Sequence, residues 1–236
     1  MKYVLLTFII LTSFSLTAQK FSPEFNGFSR KKTSFITMKD GSEVSVIIKN
    51  LKFKKGLIDE LKVEKASDGK KVKINPEDIK FMYLAQSAMG QMAQKLDAMD
   101  DLTKIMDGEL DAGHLDDGYL YMESSNVQVK KKKTQYCMLQ LMNPTFSKNI
   151  KVYNDPLAGE SASVGVGGMT LAGGLAKSYY IKKAGEDVAM RIKKKEYKQD
   201  MEALFSECSE VLAKHSSSPK WDQFEQFIFD YSTMCK

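Results

Sequence analysis

Two histidines, three cysteines and fourteen methionines hold most of the reactive potential of this 236-residue sequence. His114 stands in the polar stretch DGELDAGHLDDG, 107–118, with five acidic residues: Asp107, Glu109, Asp111, Asp116 and Asp117. A histidine beside a carboxylate is the pairing that general acid–base catalysis uses. A hydrolase working through His114 with Asp116 or Asp117 is therefore one expectation. Asp107, Glu109 and Asp111 alternate as calcium ligands do, but the central glycine and closing glutamate of a calcium loop are missing. A solvated surface loop explains the same residues and is preferred. Two histidines leave little from which to build a histidine-based triad or a multi-histidine zinc site. A pair of acids would suffice for glycoside hydrolysis, but nothing singles out a pair among thirty.

The remaining reactive side chains read as structural. Met89, Met92, Leu96, Met99, Leu102 and Met106 recur at three- and four-residue steps through 86–106. That spacing predicts one face of an amphipathic helix. Thioethers suit copper(I), so metal handling is a second alternative, but an adaptable apolar face explains the pattern without a metal. GVGGMTLAGG, 165–174, has glycines at tempting intervals. Thr170 stands where a dinucleotide fingerprint wants glycine, and Gly174 where a phosphate loop wants lysine. A strand, not a helix, is expected after it. Lys130 to Lys133 would suit an anionic surface, yet a strand edge guarded by charge is the simpler reading. His215, at a helix end, reads as a cation stabilising that terminus.

These residues have to be positioned by a fold of mixed class. From Thr33 to Ala85, short apolar runs alternate with turn signals: Asp40-Gly41, Lys54-Lys55-Gly56, Asp68-Gly69 and Pro76-Glu77-Asp78. Val44, Val46 and Ile48 fall on one face of a strand, because successive side chains point to opposite sides. The expectation is an antiparallel β-meander or small barrel. Tyr119–Met122 then leads to a turn at Ser124-Ser125-Asn126, followed by a long strand from Val127 to Met142. Further strands are expected at Ile150–Tyr153, Ser178–Ile181 and Val188–Ile192. Met201, Leu204, Phe205, Cys208, Val211 and Leu212 predict one helix. Ser218-Pro219 opens another, with Trp221, Phe224, Phe227, Ile228 and Tyr231 as its buried stripe. The class is α+β: meander, Met-rich helix, second antiparallel sheet and C-terminal helix pair. Its expected divisions are 1–18, 19–85, 86–117 and 118–236.

The first eighteen residues read as a secretory signal. Met1-Lys2 is basic, Tyr3 to Leu11 apolar, and Thr12 to Ala18 small and polar, with cleavage expected between Ala18 and Gln19. The apolar run is too short to span a bilayer comfortably. Thirty-five basic side chains face thirty acidic ones, and losing Lys2 with the leader lowers the net charge from +5 to +4. Such a mild excess does not argue for nucleic acid. Export permits disulfides. Cys208 and Cys235 lie in one helical hairpin and are expected to pair; three buried free thiols are the alternative. Cys137, in Tyr136-Cys137-Met138-Leu139, reads as a core residue.

The leader ending in Leu-Thr-Ala-Gln, Asp40-Gly41 with Val44, Val46 and Ile48, Lys73–Ile79 (KINPEDI), Val152–Pro156 (VYNDP), Lys177–Tyr180 (KSYY) and the two late cysteines together resemble uncharacterised exported proteins of Bacteroidota-type bacteria. That resemblance implies no activity, cofactor or catalytic residue. The expected function is a non-enzymatic, exported binding protein of the periplasm or cell exterior. Its partner would be an envelope protein or a surface ligand, with no cofactor, no metal, no nucleic acid and no transmembrane segment after signal cleavage.

Overall fold

The structure, a computed structural model, describes residues 21–88, 90, 110, 112–130, 133–158, 164–166, 169–172, 176–215 and 220–235. The expected leader, the six residues of the expected helix stripe between Met89 and Met106, the acidic trio Asp107, Glu109 and Asp111, and Ser218-Pro219 lie outside that set.

Turn chemistry and strand alternation build the first five strands. β1 (Thr33–Met38) and β2 (Glu43–Lys54) are antiparallel. At the turn between them the Asp40 carboxylate accepts from the Ser42 amide at 2.9 Å and the Ser42 hydroxyl at 2.6 Å, the local bonding that makes aspartate a turn residue. Lys55 and Gly56 both adopt positive φ, 52° and 78°, as a two-residue primed hairpin requires. They join β2 to β3 (Leu57–Lys65), which pairs with β4 (Lys71–Ile74). A 3₁₀ turn at Pro76–Asp78 leads into β5 (Ile79–Ala85), which returns to pair with β1.

A short helix, α1 (Ala112–Asp116), precedes the hairpin of β6 (Tyr119–Lys130) and β7 (Lys133–Gln140). β8 (Ile150–Asn154) follows, then a separate two-stranded ribbon of β9 (Val164–Val166) and β10 (Met169–Ala172). β11 (Ser178–Lys183) and β12 (Val188–Lys193) form the last hairpin. The chain ends in α2 (Tyr197–Leu204), α3 (Ser209–His215) and α4 (Phe224–Met234), the last entered through a 3₁₀ turn at Trp221–Gln223.

Ten strands make one sheet in the order β4-β3-β2-β1-β5-β6-β12-β11-β8, with β7 also paired to β6. This corrects two expectations. The meander does not close into a barrel: β3 and the Pro76–Asp78 turn pack against β7, but β4 and β8 remain the two ends of the path. Nor is there a second, separate large sheet among the described residues. β5 covers β6 only as far as Glu123, and β12 takes up pairing at Asn126 and Val127 in the parallel sense. That step joins the two halves. The expected turn at Ser124-Ser125-Asn126 is also corrected, because β6 runs straight through it. Ser124 donates to the Pro76 carbonyl at 3.1 Å, and Ser125 accepts from the Lys182 ammonium at 2.9 Å. Tertiary partners thus replace the local bonds that would turn the chain.

Three apolar clusters follow. Ile36, Val46, Ile48, Leu61, Val63 and Met82 fill the curl of the meander. Tyr121, Val127, Cys137, Leu139, Tyr153 and Tyr180 occupy the space between β6–β7 and β8–β11. The far face of β8, β11 and β12 is covered by the C-terminal helices. There Phe224, wholly buried, stacks on Trp221 at 5.0 Å and on Tyr179 at 5.4 Å. Among the described residues no helix is long and apolar enough to cross a membrane.

The single late helix expected from Met201 to Leu212 is two helices, broken after Leu204. Glu207, in the break, is bonded by Lys183 and Tyr231, each at 2.7 Å. Cys208 is disulfide-bonded to Cys235 with their Cα atoms 5.8 Å apart, as the sequence predicts. α3 and α4 are clamped by Asp230, which accepts from Lys214 at 2.8 Å and Gln226 at 3.0 Å, and meets His215 Nε2 at 2.7 Å. His215 is therefore tied to a neighbouring helix as well as sitting at its own helix end.

Burial pushes the Asp230 carboxyl up, but the bonds from Lys214, His215 and Gln226 outweigh it and hold the group below its ordinary 3.8. A carboxyl depressed in the folded state stabilises above its unfolded pKa and loses that contribution as pH falls through the folded value. Thermal melts of the wild type should therefore show a stability loss below about pH 4. That loss should be smaller in Asp230→Asn.

Candidate functional site

A cleft lies where the tips of two hairpins meet the end of β8. The Lys55-Gly56 turn carries Lys54, Lys55, Leu57 and Asp59 to one wall, and Asn75–Glu77 extends it. The outer ends of β6 and β7 supply Val127, Val129, Lys133, Gln135 and Tyr136. Pro156 and Leu157, just beyond β8, close the third side, and Cys137, Tyr180 and Asp155 lie beneath. The volume is about 690 Å³, within the range of pockets that hold small ligands.

The walls meet because the chain fits tightly there. A Cβ on Gly56 would come within 2.9 Å of Leu157 Cδ2 and 3.3 Å of the Pro156 carbonyl oxygen. Gly56 also holds a φ of 78°, which side chains rarely adopt, so glycine suits both the turn and its seat on this loop. Gly56→Ala should destabilise the protein by about 1 kcal/mol, measured by urea unfolding. An unchanged midpoint would show that Gly56 does not hold the left-handed conformation of this turn.

The groups beneath the opening are chemically quiet. Burial, then the nearby Asp155 charge, pushes the Cys137 thiol up to about 12. It stays protonated at neutral pH and is a poor nucleophile. Burial and Asp155 also push the Tyr180 phenol to about 12, partly offset by Arg191. Asp155 itself is fully engaged: Arg191 approaches at 2.5 Å, Ser178 donates at 2.7 Å and the Leu157 amide donates at 3.1 Å. Asp59 is paired with Lys52 at 3.1 Å. Lys54, Lys55 and Lys133 are exposed.

A second polar assembly sits deeper, between β6, β8 and β11. The Glu123 carboxylate, almost buried, accepts two bonds from Lys151 at 2.9 and 3.0 Å and one from the Tyr153 hydroxyl. Lys182 reaches Ser125 beside it at 2.9 Å. Burial and the Lys151 charge hold the Lys182 ammonium below its usual range against the pull of Glu123 and Asp187. These groups satisfy one another and bridge strands of the two halves. The Tyr153 phenol is driven upward by burial and by Glu123, so it remains a donor.

Of the residues singled out in sequence, Lys133 and Cys137 line the cleft, and the histidines fall elsewhere. His114, on α1, lies flat on Phe35 with centroids 4.3 Å apart, with Tyr83 at 4.8 Å and Tyr119 at 5.3 Å. Burial and then the Asp117 charge raise the Tyr119 phenol. Among the described residues no three His, Cys, Asp or Glu side chains are grouped to hold a metal ion. Neither the cleft nor the Glu123 assembly is marked by any local motif. The hints are the lysine run that ends at Lys133 and the turn at Lys54-Lys55-Gly56, whose contact with Leu157 spans about a hundred residues.

Comparison with known protein families, curated proteins and solved structures finds no match to this chain.

Proposed function

We propose that this is an exported, non-enzymatic binding protein of the cell envelope, and that the cleft between the β2–β3 tip, the β6–β7 tip and Pro156–Leu157 holds its ligand. The observation that carries the reading is the pairing of apolar wall side chains, Leu57, Val129, Tyr136 and Leu157, with a charged rim in a space of about 690 Å³. Pockets of that make-up bind through apolar contact and use a few polar groups for orientation. The cleft's own groups suit holding better than turnover: its thiol stays protonated and its buried carboxylate is neutralised by Arg191. The basic, apolar, then small-residue order of 1–18 and the Cys208–Cys235 bond support an oxidising compartment.

Titration with Nile red, an uncharged dye, tests the site. Leu157 is 60% exposed, so Leu157→Asp should leave stability within about 0.5 kcal/mol of wild type. It should weaken dye binding by roughly tenfold, since it places a hydrated charge against an apolar wall. Equal dye affinity in the two proteins would remove the cleft from consideration.

A further inference from the structure

The charge around the cleft is unequal once its ion pairs are counted. Asp155 is neutralised by Arg191 at 2.5 Å and Asp59 by Lys52 at 3.1 Å. Among the described residues, Lys54, Lys55, Lys133 and Glu77 are in no such pair. The lining therefore carries three unpaired lysines against one unpaired carboxylate, and the lysines come from two different hairpins, β2–β3 and β6–β7. Such cations attract an anion without having to give up an existing partner, while the accessible apolar surface of Leu57, Val129, Tyr136 and Leu157 favours hydrocarbon.

We propose that the ligand is a single-chain amphiphile with an anionic head, specifically a medium- or long-chain fatty acid. Its carboxylate sits among Lys54, Lys55 and Lys133, and its acyl chain lies along Leu57, Val129 and Tyr136 toward Leu157. This rests on the cleft being the binding site and adds the class of molecule it takes. A single chain suits the volume; a two-chain phospholipid is too bulky for it. The lysines are flexible and solvated, so each contributes a modest attraction, and the head-group preference is the sum of three. Because these charges are exposed, salt screens them over about 8–10 Å.

Isothermal titration of the full chain with dodecanoate, dodecan-1-ol and dodecyltrimethylammonium, each below its aggregation threshold, separates the two claims. Dodecanoate should bind on the order of tenfold tighter than dodecanol, and the cationic surfactant weakest. Lys54→Gln/Lys55→Gln/Lys133→Gln should remove the dodecanoate advantage and leave dodecanol affinity within about twofold, so dodecanol also reports that the variant is folded. Raising salt to 0.5 M should narrow the gap in the wild type alone. Equal binding of acid and alcohol at the cleft would overturn the anionic ligand while keeping the cleft. Tighter binding of the cationic surfactant would overturn it as well. Failure of all three to bind would overturn both.

Discussion

Removing the Cys208–Cys235 bond should lower the stability of the folded chain by about 3–4 kcal/mol. Linking residues 27 apart removes that much loop-closure freedom from the unfolded chain in the entropy treatment. Both cysteines are buried in the C-terminal cluster, so substitution also costs some packing. The two effects separate by comparing wild type under reducing conditions with Cys208→Ala/Cys235→Ala under oxidising conditions. Reduction alone should account for most of the loss, and the melting temperature should fall by roughly 10 °C in a chain of this size. The helices should loosen first, since the bond ties the start of α3 to the end of α4. A melting temperature indifferent to reductant would mean that the bond does not hold the helical layer.

Glu123→Ala should have the next largest effect, about 3 kcal/mol. The substitution leaves the Tyr153 hydroxyl, on a wholly buried side chain, without its carboxylate. It also strands the Lys151 ammonium, whose side chain is 36% exposed and can partly rehydrate. Leaving a buried donor unpaired costs roughly 1–3 kcal/mol, and breaking a buried ion pair adds to that. Adding Tyr153→Phe to Glu123→Ala should cost less than the sum of the two single changes, because the second removes the donor that the first had orphaned. Urea unfolding gives all three values. Strict additivity would show that the two side chains are not coupled.

The parts of the fold that sequence made legible are those in which neighbours along the chain decide the outcome. Asp40-Gly41 and Asp68-Gly69 turn the chain wherever they occur, and the alternation of Val44, Val46 and Ile48 fixes which face is buried. The buried stripe of Trp221, Phe224, Phe227, Ile228 and Tyr231 follows from helical spacing, and the cysteine pairing from the hairpin that holds it. Distant partners decided the rest. Ser124 and Ser125 belong to turn-forming types, yet Pro76 and Lys182 take their hydroxyls and β6 stays extended. The parallel step that joins the two halves pairs Val188 with Asn126, and no local pattern encodes a partner 62 residues away. The same holds for the cleft. Lys55-Gly56 was readable as a turn, but its seat against Pro156–Leu157 depends on packing across the whole sheet. His114 reads in sequence as a reactive side chain in an acidic stretch, but its imidazole is stacked on Phe35.

Photo-crosslinking with a diazirine-bearing long-chain alcohol, followed by peptide mapping, tests the cleft most directly, because the uncharged probe reports the site without the lysines. Saturable labelling should concentrate on Leu57, Tyr136 and Leu157, and excess dodecanol should remove it. Labelling that instead centres on the other exposed apolar side chains, Phe53 and Met190, or that spreads over the surface without saturating, would contradict the cleft as the binding site.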